Sequence, residues 1–158
     1  MTDALPPKPV KASRINIAQL MQPEHANILG NVHGGWIMKL VDEAGALACM
    51  RHSQRRVVTV VMDSMTFRHP IKVGDLVMLR AELTGVGRTS MEVEIDVETE
   101  NPITGERKAT NTAYAVFVAL DDEGVPVRVP PLVAETEDER RKQKESSERQ
   151  AHRLQGQK

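Results

Sequence analysis

The residues best suited to chemistry lie in a short polar loop and in the helix that follows it. The loop offers Asn27, and the chain then runs through Gly34 and Gly35 into an apolar helical pattern that carries Asp42. Two glycines at a helix N-terminus leave backbone N–H groups uncovered, and the helix dipole there favours a carbonyl oxygen that gains negative charge. A carboxylate, an amide donor and free N–H groups together suit attack by water on an acyl group.

Each of these residues also has an ordinary structural explanation. A Gly–Gly pair is more often a turn or a packing device, a lone aspartate is more often solvated or ion-paired, and a lone asparagine usually caps a loop. Only the joint spacing of Asn27, Gly34, Gly35 and Asp42 favours a catalytic interpretation. The neighbouring His33 is a further polar group, for which we expect a structural role.

The helix that must position Asp42 is predicted from about Trp36 to Arg51, and it has two apolar faces. The first, with the i, i+3, i+4, i+7 spacing of a core stripe, comprises Ile37, Leu40, Val41, Ala44, Leu47 and Ala48. The second comprises Met38, Asp42, Gly45 and Cys49. The chain is too short to cover both faces by itself. We therefore expect its own sheet on one face and a partner subunit on the other.

Five strand-like segments accompany this helix. They are Arg14 to Met21, Val57 to Arg68, Asp75 to Thr84, Ser90 to Thr99 and Lys108 to Leu120. The fourth alternates cleanly, with apolar residues predicted inward and Glu92, Glu94, Asp96 and Glu98 predicted outward. Short turns between the segments favour antiparallel hairpins over parallel crossovers. The prediction is an α+β architecture, with one long helix packed on an antiparallel sheet of about five strands.

The two ends of the chain are predicted to lie outside this domain. Residues 1–11 are expected to be a flexible lead-in, residues 12–132 form the domain, and residues 133–158 form a charged C-terminal helix or tail. The stretch Glu135 to Arg153 is almost all charge and has no apolar stripe. It is therefore predicted to be a solvated helix or a partly disordered segment.

Composition excludes several classes of function. A formal net charge of -1 gives no overall attraction to nucleic acid or to an anionic membrane, so a polyanionic ligand needs a local basic cluster. The single cysteine, Cys49, excludes an internal disulfide and a thiolate metal cluster. The start of the chain lacks the apolar stretch of a signal peptide, and no segment approaches the ~20 apolar residues of a membrane span. The cytoplasm is the expected location.

At this point the sequence resembles a known family. The run Asn27-x-x-Gly30-x-x-His33-Gly34-Gly35-x-x-Met38-x-x-x-Asp42-Glu43 is similar to acyl-CoA thioesterases of the hotdog superfamily, the acyl-CoA hydrolase type that includes brain acyl-CoA hydrolase and YciA-like enzymes. The similarity continues through three further blocks, Met65 to Pro70, Val73 to Asp75 and Gly87 to Met91. It extends over roughly Ile15 to Leu132. Four ordered blocks at matching spacing make a specific signal.

The resemblance implies a hotdog fold, in which the sheet wraps around the long helix, and an acyl-CoA substrate hydrolysed to free fatty acid and CoA. It implies homodimers, often assembled as a trimer of dimers, with Asn27 of one subunit facing Asp42 of the other. Asp42 is then the general base or a nucleophile, and Gly34 or Gly35 supplies N–H groups. CoA is part of the substrate, so no cofactor and no metal are expected.

Contacts to CoA require positive charge and hydroxyl groups. Arg88, Thr89 and Ser90 at a strand start, with Lys108 on the next strand, form the best candidate set, and Arg55 with Arg56 forms a second. The wall of an acyl tunnel is expected to include Met38, Val58, Val60 and Met62.

Two rival functions remain at this level. A non-catalytic acyl-CoA-binding sensor is disfavoured because Asp42 and Asn27 are both present and neither end of the chain shows a helix-turn-helix pattern. A hotdog enoyl-CoA hydratase requires an aspartate and a histidine near the helix start, and Asp42 lies too deep in the helix for that arrangement.

Overall fold

The computed structural model describes residues 5–63 and 65–156, which form two long helices and seven strands. In chain order they are β1 (Lys8–Pro9), β2 (Ile15–Leu20), α1 (Gly34–Ser53), β3 (Arg56–Met62), β4 (Leu76–Val86), β5 (Ser90–Glu100), β6 (Arg107–Leu120), β7 (Leu132–Val133) and α2 (Glu137–Gly156). Short 3-10 turns precede β2 and α1, at Val10–Ser13 and Pro23–His25.

The main sheet has five antiparallel strands in the order β2-β4-β5-β6-β3, and α1 packs across its inner face. The core lies between them, where the inward residues of β5 and β6 are completely buried. This is the hotdog arrangement that the sequence predicts. β2 and β3 are the edge strands. In the chain, β3 follows α1 directly, and it packs beside that helix.

The helix α1 begins two residues before the predicted start, at Gly34, and ends at Ser53, where Gln54 adopts a left-handed conformation (φ 59°). The residues that lie on the two apolar faces of α1 differ from those predicted. Leu47 is 40% exposed and does not belong to the core stripe, whereas Gly45 and Cys49 are buried against the chain's own sheet. The reason is the winding of 3.6 residues per turn, which carries positions seven residues apart ~20° off a fixed line.

The strand predicted over Val57 to Arg68 is shorter in the structure, ending at Met62. The pairing with β6 already shifts its register between Thr59 and Val61, and a bulge of this kind bends a strand away from its partner. Beyond the strand, the side-chain amide of Asn111 donates to the carbonyl of Thr66, where a ladder would use main-chain groups. The β-branched sequence could not reveal where the pairing stops.

The surroundings predicted for the charged C-terminal segment were wrong. α2 is neither free nor solvated on all sides, because it packs on the outer face of the sheet and covers Glu92 and Glu94, which are buried. Arg149 and Arg153 pair with Glu92 at 2.7 and 2.9 Å, and Lys142 pairs with Glu94 at 3.0 Å. The helix is held by ion pairs rather than by an apolar stripe.

The lead-in prediction also needs correction. Lys8 and Pro9 pair in parallel with Leu132 and Val133, and Val10 is buried in the core. The chain from residue 8 onward is therefore part of the fold, while residues 1–4 lie outside the described residues. Parallel pairing between segments more than 120 positions apart leaves no local signal in a sequence.

Candidate active site

Asp42 lies in the third turn of α1 and is bonded to β3. Its Oδ1 accepts a hydrogen bond of 2.6 Å from the hydroxyl of Thr59. Asp42 is half-buried and Thr59 is exposed, so the pair sits at the boundary between helix, sheet and surface. One carboxylate oxygen is thereby fixed by the hydroxyl, which leaves the other oxygen to accept a proton.

Asn27 is held by a turn in the preceding loop. Its Oδ1 accepts hydrogen bonds from the backbone N–H groups of Leu29 (2.9 Å) and Asn31 (3.2 Å). Gly30 closes this turn with φ +82°, a conformation that glycine adopts without strain. Because the oxygen is committed to the turn, the amide Nδ2 is the end of the side chain that remains for a ligand, and it has no partner within residues 5–63 and 65–156.

An aromatic contact joins this loop to the first turn of α1. The rings of His25 and Trp36 stack with centroids 4.2 Å apart, and His25 is buried. The Nδ1 of His25 accepts from the backbone N–H of Gln22, while the indole N–H of Trp36 donates to Gln19 on β2. The position of Asn27 is therefore fixed relative to the helix start.

Gly34 and Gly35 form the first two positions of α1. In the part of the chain that the structure describes, neither backbone N–H donates to a carbonyl, as expected for the first turn of a helix. The ring of Phe67 covers Gly34 so closely that a Cβ there would stand 3.3 Å from it, whereas Gly35 is open. Eight residues of helix separate Gly34 from Asp42, a rise of about 12 Å. One helix thus does not bring both to a single carbonyl.

Exposed apolar side chains lie on both of the elements that carry these groups. On α1, Met38 is 43% exposed one turn before Asp42 and on the same face, and at the loop tip Ile28 and Leu29 are 100% and 80% exposed. Isolated apolar residues on a surface are normal, but several of them near a free sheet edge are typical of an interaction site. Among the described residues, β3 pairs with β6 alone, so its other edge presents free backbone groups.

The predicted tunnel wall is only partly on the side of Asp42. Met62 pairs with Ala115 on the inner face, whereas Val58 pairs with Val118 and points to the opposite face from its neighbour Thr59. Val58 therefore does not line a cavity at Asp42 in the same subunit. The register shift between Thr59 and Val61 changes the phase of the alternation along β3, so Val58 and Met62 lie on opposite faces.

The structure divides the predicted CoA-binding set. Ser90 and Thr99 stand at opposite ends of β5, about 30 Å apart at the usual rise per residue, and Lys108 pairs with Thr99. Lys108 is therefore remote from Arg88, Thr89 and Ser90. Antiparallel hairpins bring the end of one strand beside the start of the next, so the start of β6 meets the end of β5.

The second candidate pair lies on the side of Arg88 instead. Ser90, Val118 and Val58 face one another across β5, β6 and β3, which places the Arg88 turn two strand spacings, about 10 Å, from β3. Arg55 and Arg56 stand at the start of β3, at this same end of the sheet. A further exposed arginine, Arg128, precedes a residue whose N–H donates to the Arg88 carbonyl. No ion pair within the described ranges engages these four arginines.

Other candidate chemistry is not supported. Cys49 is fully buried and burial raises the pKa of its thiol, so it is not a nucleophile. His33 is exposed at the helix N-cap and makes no side-chain cap hydrogen bond. In residues 5–63 and 65–156, no group of three or more His, Cys, Asp or Glu side chains could hold a metal ion. Neither long helix combines the length and apolarity needed to cross a bilayer.

Comparison with known proteins identifies the family. The sequence model described as Thioesterase superfamily matches residues 29–106, the part of the chain from the Asn27 loop to the start of β6. The uncharacterized acyl-CoA thioester hydrolase YkhA of Bacillus subtilis is 41% identical over 132 residues, 84% of this chain and 73% of that protein. The chain belongs to the thioesterase superfamily.

Solved structures of the superfamily have the same fold over nearly the whole chain. An apo-hexameric acyl-CoA thioesterase is 36% identical with a TM-score of 0.91, covering 96% of this chain and 97% of that one. An acyl-CoA hydrolase from Staphylococcus aureus, solved with butyryl-CoA, CoA and CoA disulfide, is 30% identical with a TM-score of 0.84, covering 96% and 95%. Alanine mutants of that enzyme at an asparagine, an aspartate and a threonine are also solved.

Sequence reasoning missed three residues of this site. Thr59 was taken as part of a β-branched run, while His25 and Trp36 were not assigned a role. A signal for Thr59 exists, because it is the one hydroxyl among the valines of β3 and therefore the one inner-face position able to donate a hydrogen bond. Stacking of His25 on Trp36 joins residues on two elements and has no counterpart in local spacing.

Proposed function

We propose that this thioesterase hydrolyses acyl-CoA thioesters at a site that two copies of the chain complete. The observation that carries the proposal is the Asp42–Thr59 hydrogen bond of 2.6 Å, placed on a partly exposed apolar face. A carboxylate held in this way is costly to desolvate unless it is used, and the apolar surroundings indicate that a partner covers it.

The solved relative supports the choice of residues. In the S. aureus enzyme the mutated asparagine, aspartate and threonine are separated by 15 and 17 positions, and Asn27, Asp42 and Thr59 are separated by the same intervals. Structures of that enzyme contain butyryl-CoA and CoA. We therefore assign Asn27, Asp42 and Thr59 to one acyl-CoA site.

The reaction follows from the atoms available. Thr59 fixes Oδ1 of Asp42, and Oδ2 removes a proton from water while the water oxygen attacks the thioester carbonyl. The Nδ2 of Asn27 and the N–H groups of Gly34 and Gly35 donate to the developing oxyanion, which then collapses with loss of the CoA thiolate. The alternative is attack by Asp42 itself to give a mixed anhydride. Single turnover in ¹⁸O-labelled water separates the two, because hydrolysis of the anhydride at its aspartyl carbonyl leaves label in Asp42.

The geometry of α1 supports the participation of a second chain in this reaction. The helix rise of about 12 Å between Gly34 and Asp42 separates the oxyanion donors from the base within one subunit. Pairing of free β3 edges from two copies joins the sheets and sets their α1 helices side by side, with the exposed Ile28 and Leu29 directed at the partner. We propose such dimers, gathered as a trimer of dimers, and the apo-hexameric relative supports that number.

Binding of CoA is assigned to the arginines near the Arg88 turn. Four guanidinium groups that form no ion pair within residues 5–63 and 65–156 lie at one end of the sheet and supply the local positive charge that a chain of net charge -1 otherwise lacks. Thr89 and Ser90 add hydroxyl groups to the same turn. Lys108 is not included. A cytoplasmic location and the absence of a cofactor stay predictions.

The decisive experiment mixes two inactive variants, Asn27→Ala and Asp42→Ala. Each is expected to lose about 10²–10⁴-fold in kcat. After dissociation and reassembly, random pairing makes about half of the dimers mixed, and each mixed dimer has one site with both residues intact, so about a quarter of wild-type sites should return. Release of CoA from butyryl-CoA, followed with a thiol reagent, measures the recovery.

The controls are subunit exchange, verified by mass, and each variant taken alone through the same treatment. Exchange without regained activity would contradict a shared site. A wild-type protein that binds butyryl-CoA but releases no CoA thiol would instead identify the non-catalytic sensor.

A further inference from the structure

We propose that Phe117 is the end wall of the acyl site and sets the longest acyl chain that the enzyme accepts. The inference rests on the proposed function, because it concerns the acyl group whose carbonyl lies at Asp42. It assigns a specificity role to a core residue that does not touch the reacting atoms.

The side chain of Phe117 lies directly beside Thr59, the residue that holds Asp42. Phe117 is the cross-strand partner of Thr59, so the two side chains stand next to each other on the inner face of the sheet. Thr59 in turn holds Asp42 at 2.6 Å. The ring of Phe117 is completely buried, in contrast to the exposed hydroxyl of Thr59. The exposed side of the site, on β3, is therefore separated from the closed core by the distance between β3 and its neighbour β6.

The ring also closes the space between sheet and helix. A Cβ built on Gly45 would stand 2.9 Å from Cε2 and 3.1 Å from Cζ of Phe117, too close for any side chain at that position. Gly45 is one turn beyond Asp42, a rise of about 4.5 Å along α1. The ring thus reaches from β6 to the backbone of α1 at the next turn of the helix. An acyl chain that extends past Asp42 toward the core meets it at once.

The other direction from Asp42 is the exposed surface at Met38, where the second copy of the chain is proposed to pack. An acyl chain is driven out of water into the nearest apolar space, and the partner restricts that space on the surface side. The remaining path runs inward along the face of Thr59 and ends at Phe117. Shortening Phe117 extends this path into the protein, between Gly45 and the inner face of β6.

The test compares acyl-chain selectivity in Phe117→Ala, Phe117→Leu and a matched control, Leu83→Ala. Leu83 is buried on the same face of the sheet but on β4, two strands from β6, so its loss creates a core cavity away from the site. The ratio of kcat/KM for dodecanoyl-CoA to that for butyryl-CoA is measured for each protein, with thermal unfolding to verify the fold.

One additional methylene in a hydrophobic pocket changes discrimination by a factor of about 10 or more. We expect both Phe117 variants to raise the dodecanoyl-to-butyryl ratio at least ~10-fold, and Leu83→Ala to leave it within about 2-fold. If Phe117→Ala does not fold, the milder Phe117→Leu decides. A ratio unchanged in a folded Phe117→Leu protein, or raised equally by Leu83→Ala, would overturn the inference. A wild-type protein that hydrolyses no acyl-CoA would instead overturn the proposed function.

Discussion

Glu92 is the residue by which the ion-pair docking of α2 can be tested most directly. Its carboxylate, 4% exposed, accepts hydrogen bonds from Arg149 at 2.7 and 3.1 Å and from the hydroxyl of Thr84 at 2.5 Å, and it pairs with Arg153 at 2.9 Å. Glu92→Gln removes the charge and keeps the shape. The guanidinium of Arg149 then faces a neutral amide beneath the helix, while Arg153 keeps its ion pair with Asp63 at 2.6 Å.

The expected loss follows from burial. Removing one partner of a fully buried ion pair costs about 3–5 kcal/mol, because it leaves an uncompensated charge. Arg149 and Arg153 are 24% and 11% exposed, so water screens part of that cost, and we expect about 2–4 kcal/mol. For a chain of this size, such a change lowers the Tm by about 5–15 °C.

The acid dependence has a definite sign. Burial alone would raise the pKa of Glu92, but the hydrogen bonds from Arg149 and Thr84 outweigh it and hold the pKa below its usual range. A lowered pKa in the folded state contributes stability above the ordinary value of about 4.3, and that contribution is lost as the pH falls through the folded pKa. The difference between wild type and Glu92→Gln should therefore shrink below about pH 4.

Urea and thermal unfolding at fixed protein concentration measure the effect, since subunit assembly makes Tm concentration-dependent. Glu98→Gln is the matched control, because Glu98 lies on the same strand and the same face beyond the reach of α2. Hydrogen exchange then reports whether the amides of α2 lose protection. If Glu92→Gln destabilises the protein no more than Glu98→Gln does, the ion pairs make no net contribution and other contacts hold α2 on the sheet.

Two further predictions concern binding and pH. Arg88→Ala should raise KM for acyl-CoA about 10-fold with little change in kcat, since phosphate contacts stabilise the ground state and the transition state alike. Lys108→Ala, at the far end of β5, should leave KM unchanged. Equal effects of the two substitutions on KM would refute the revised CoA site. His52 is buried, and its Nε2–H donates to the carbonyl of Pro130 at 2.7 Å, while its Nδ1 has no partner in the described ranges. Burial, together with the charge of Lys8, lowers the pKa of His52 despite that hydrogen bond. The unfolded chain binds this proton below about pH 6.5 and the folded chain resists it, so stability should fall by up to ~1.4 kcal/mol per pH unit on acidification. His52→Gln should flatten that slope in unfolding at pH 7, 6 and 5, while His69→Gln, at an exposed position, should leave it as it is.

Much of the fold was predictable because its signals are local. The 3.6 periodicity located α1 within two residues at each end, and alternation located β5 within one residue. The loop-to-helix motif indicated Asn27, Gly34, Gly35 and Asp42 by spacing alone, and that motif also carried the family resemblance. Turn residues such as the Asn101–Gly105 segment correctly predicted antiparallel hairpins.

What the sequence could not determine depends on contacts between distant segments. The charged C-terminus lacks an apolar stripe, so nothing local distinguishes a solvated helix from one docked by charge. A signal was present in two separate patterns, the outward glutamates of β5 and the cations Lys142, Arg149 and Arg153 at helical spacing, but neither pattern states that the two faces meet.

The sequence by itself therefore determined the helix, the hairpins, the family and the loop-to-helix motif, since each depends on residues within about one element of one another. Only the tertiary structure decided that Thr59 holds Asp42, that Phe117 closes the core beneath Gly45, and that Lys108 is far from Arg88. Register explains all three, because pairing one strand with another fixes which side chains become neighbours, and a shift of one residue exchanges the two faces. Register is set by the packed whole, and no short stretch of sequence contains it.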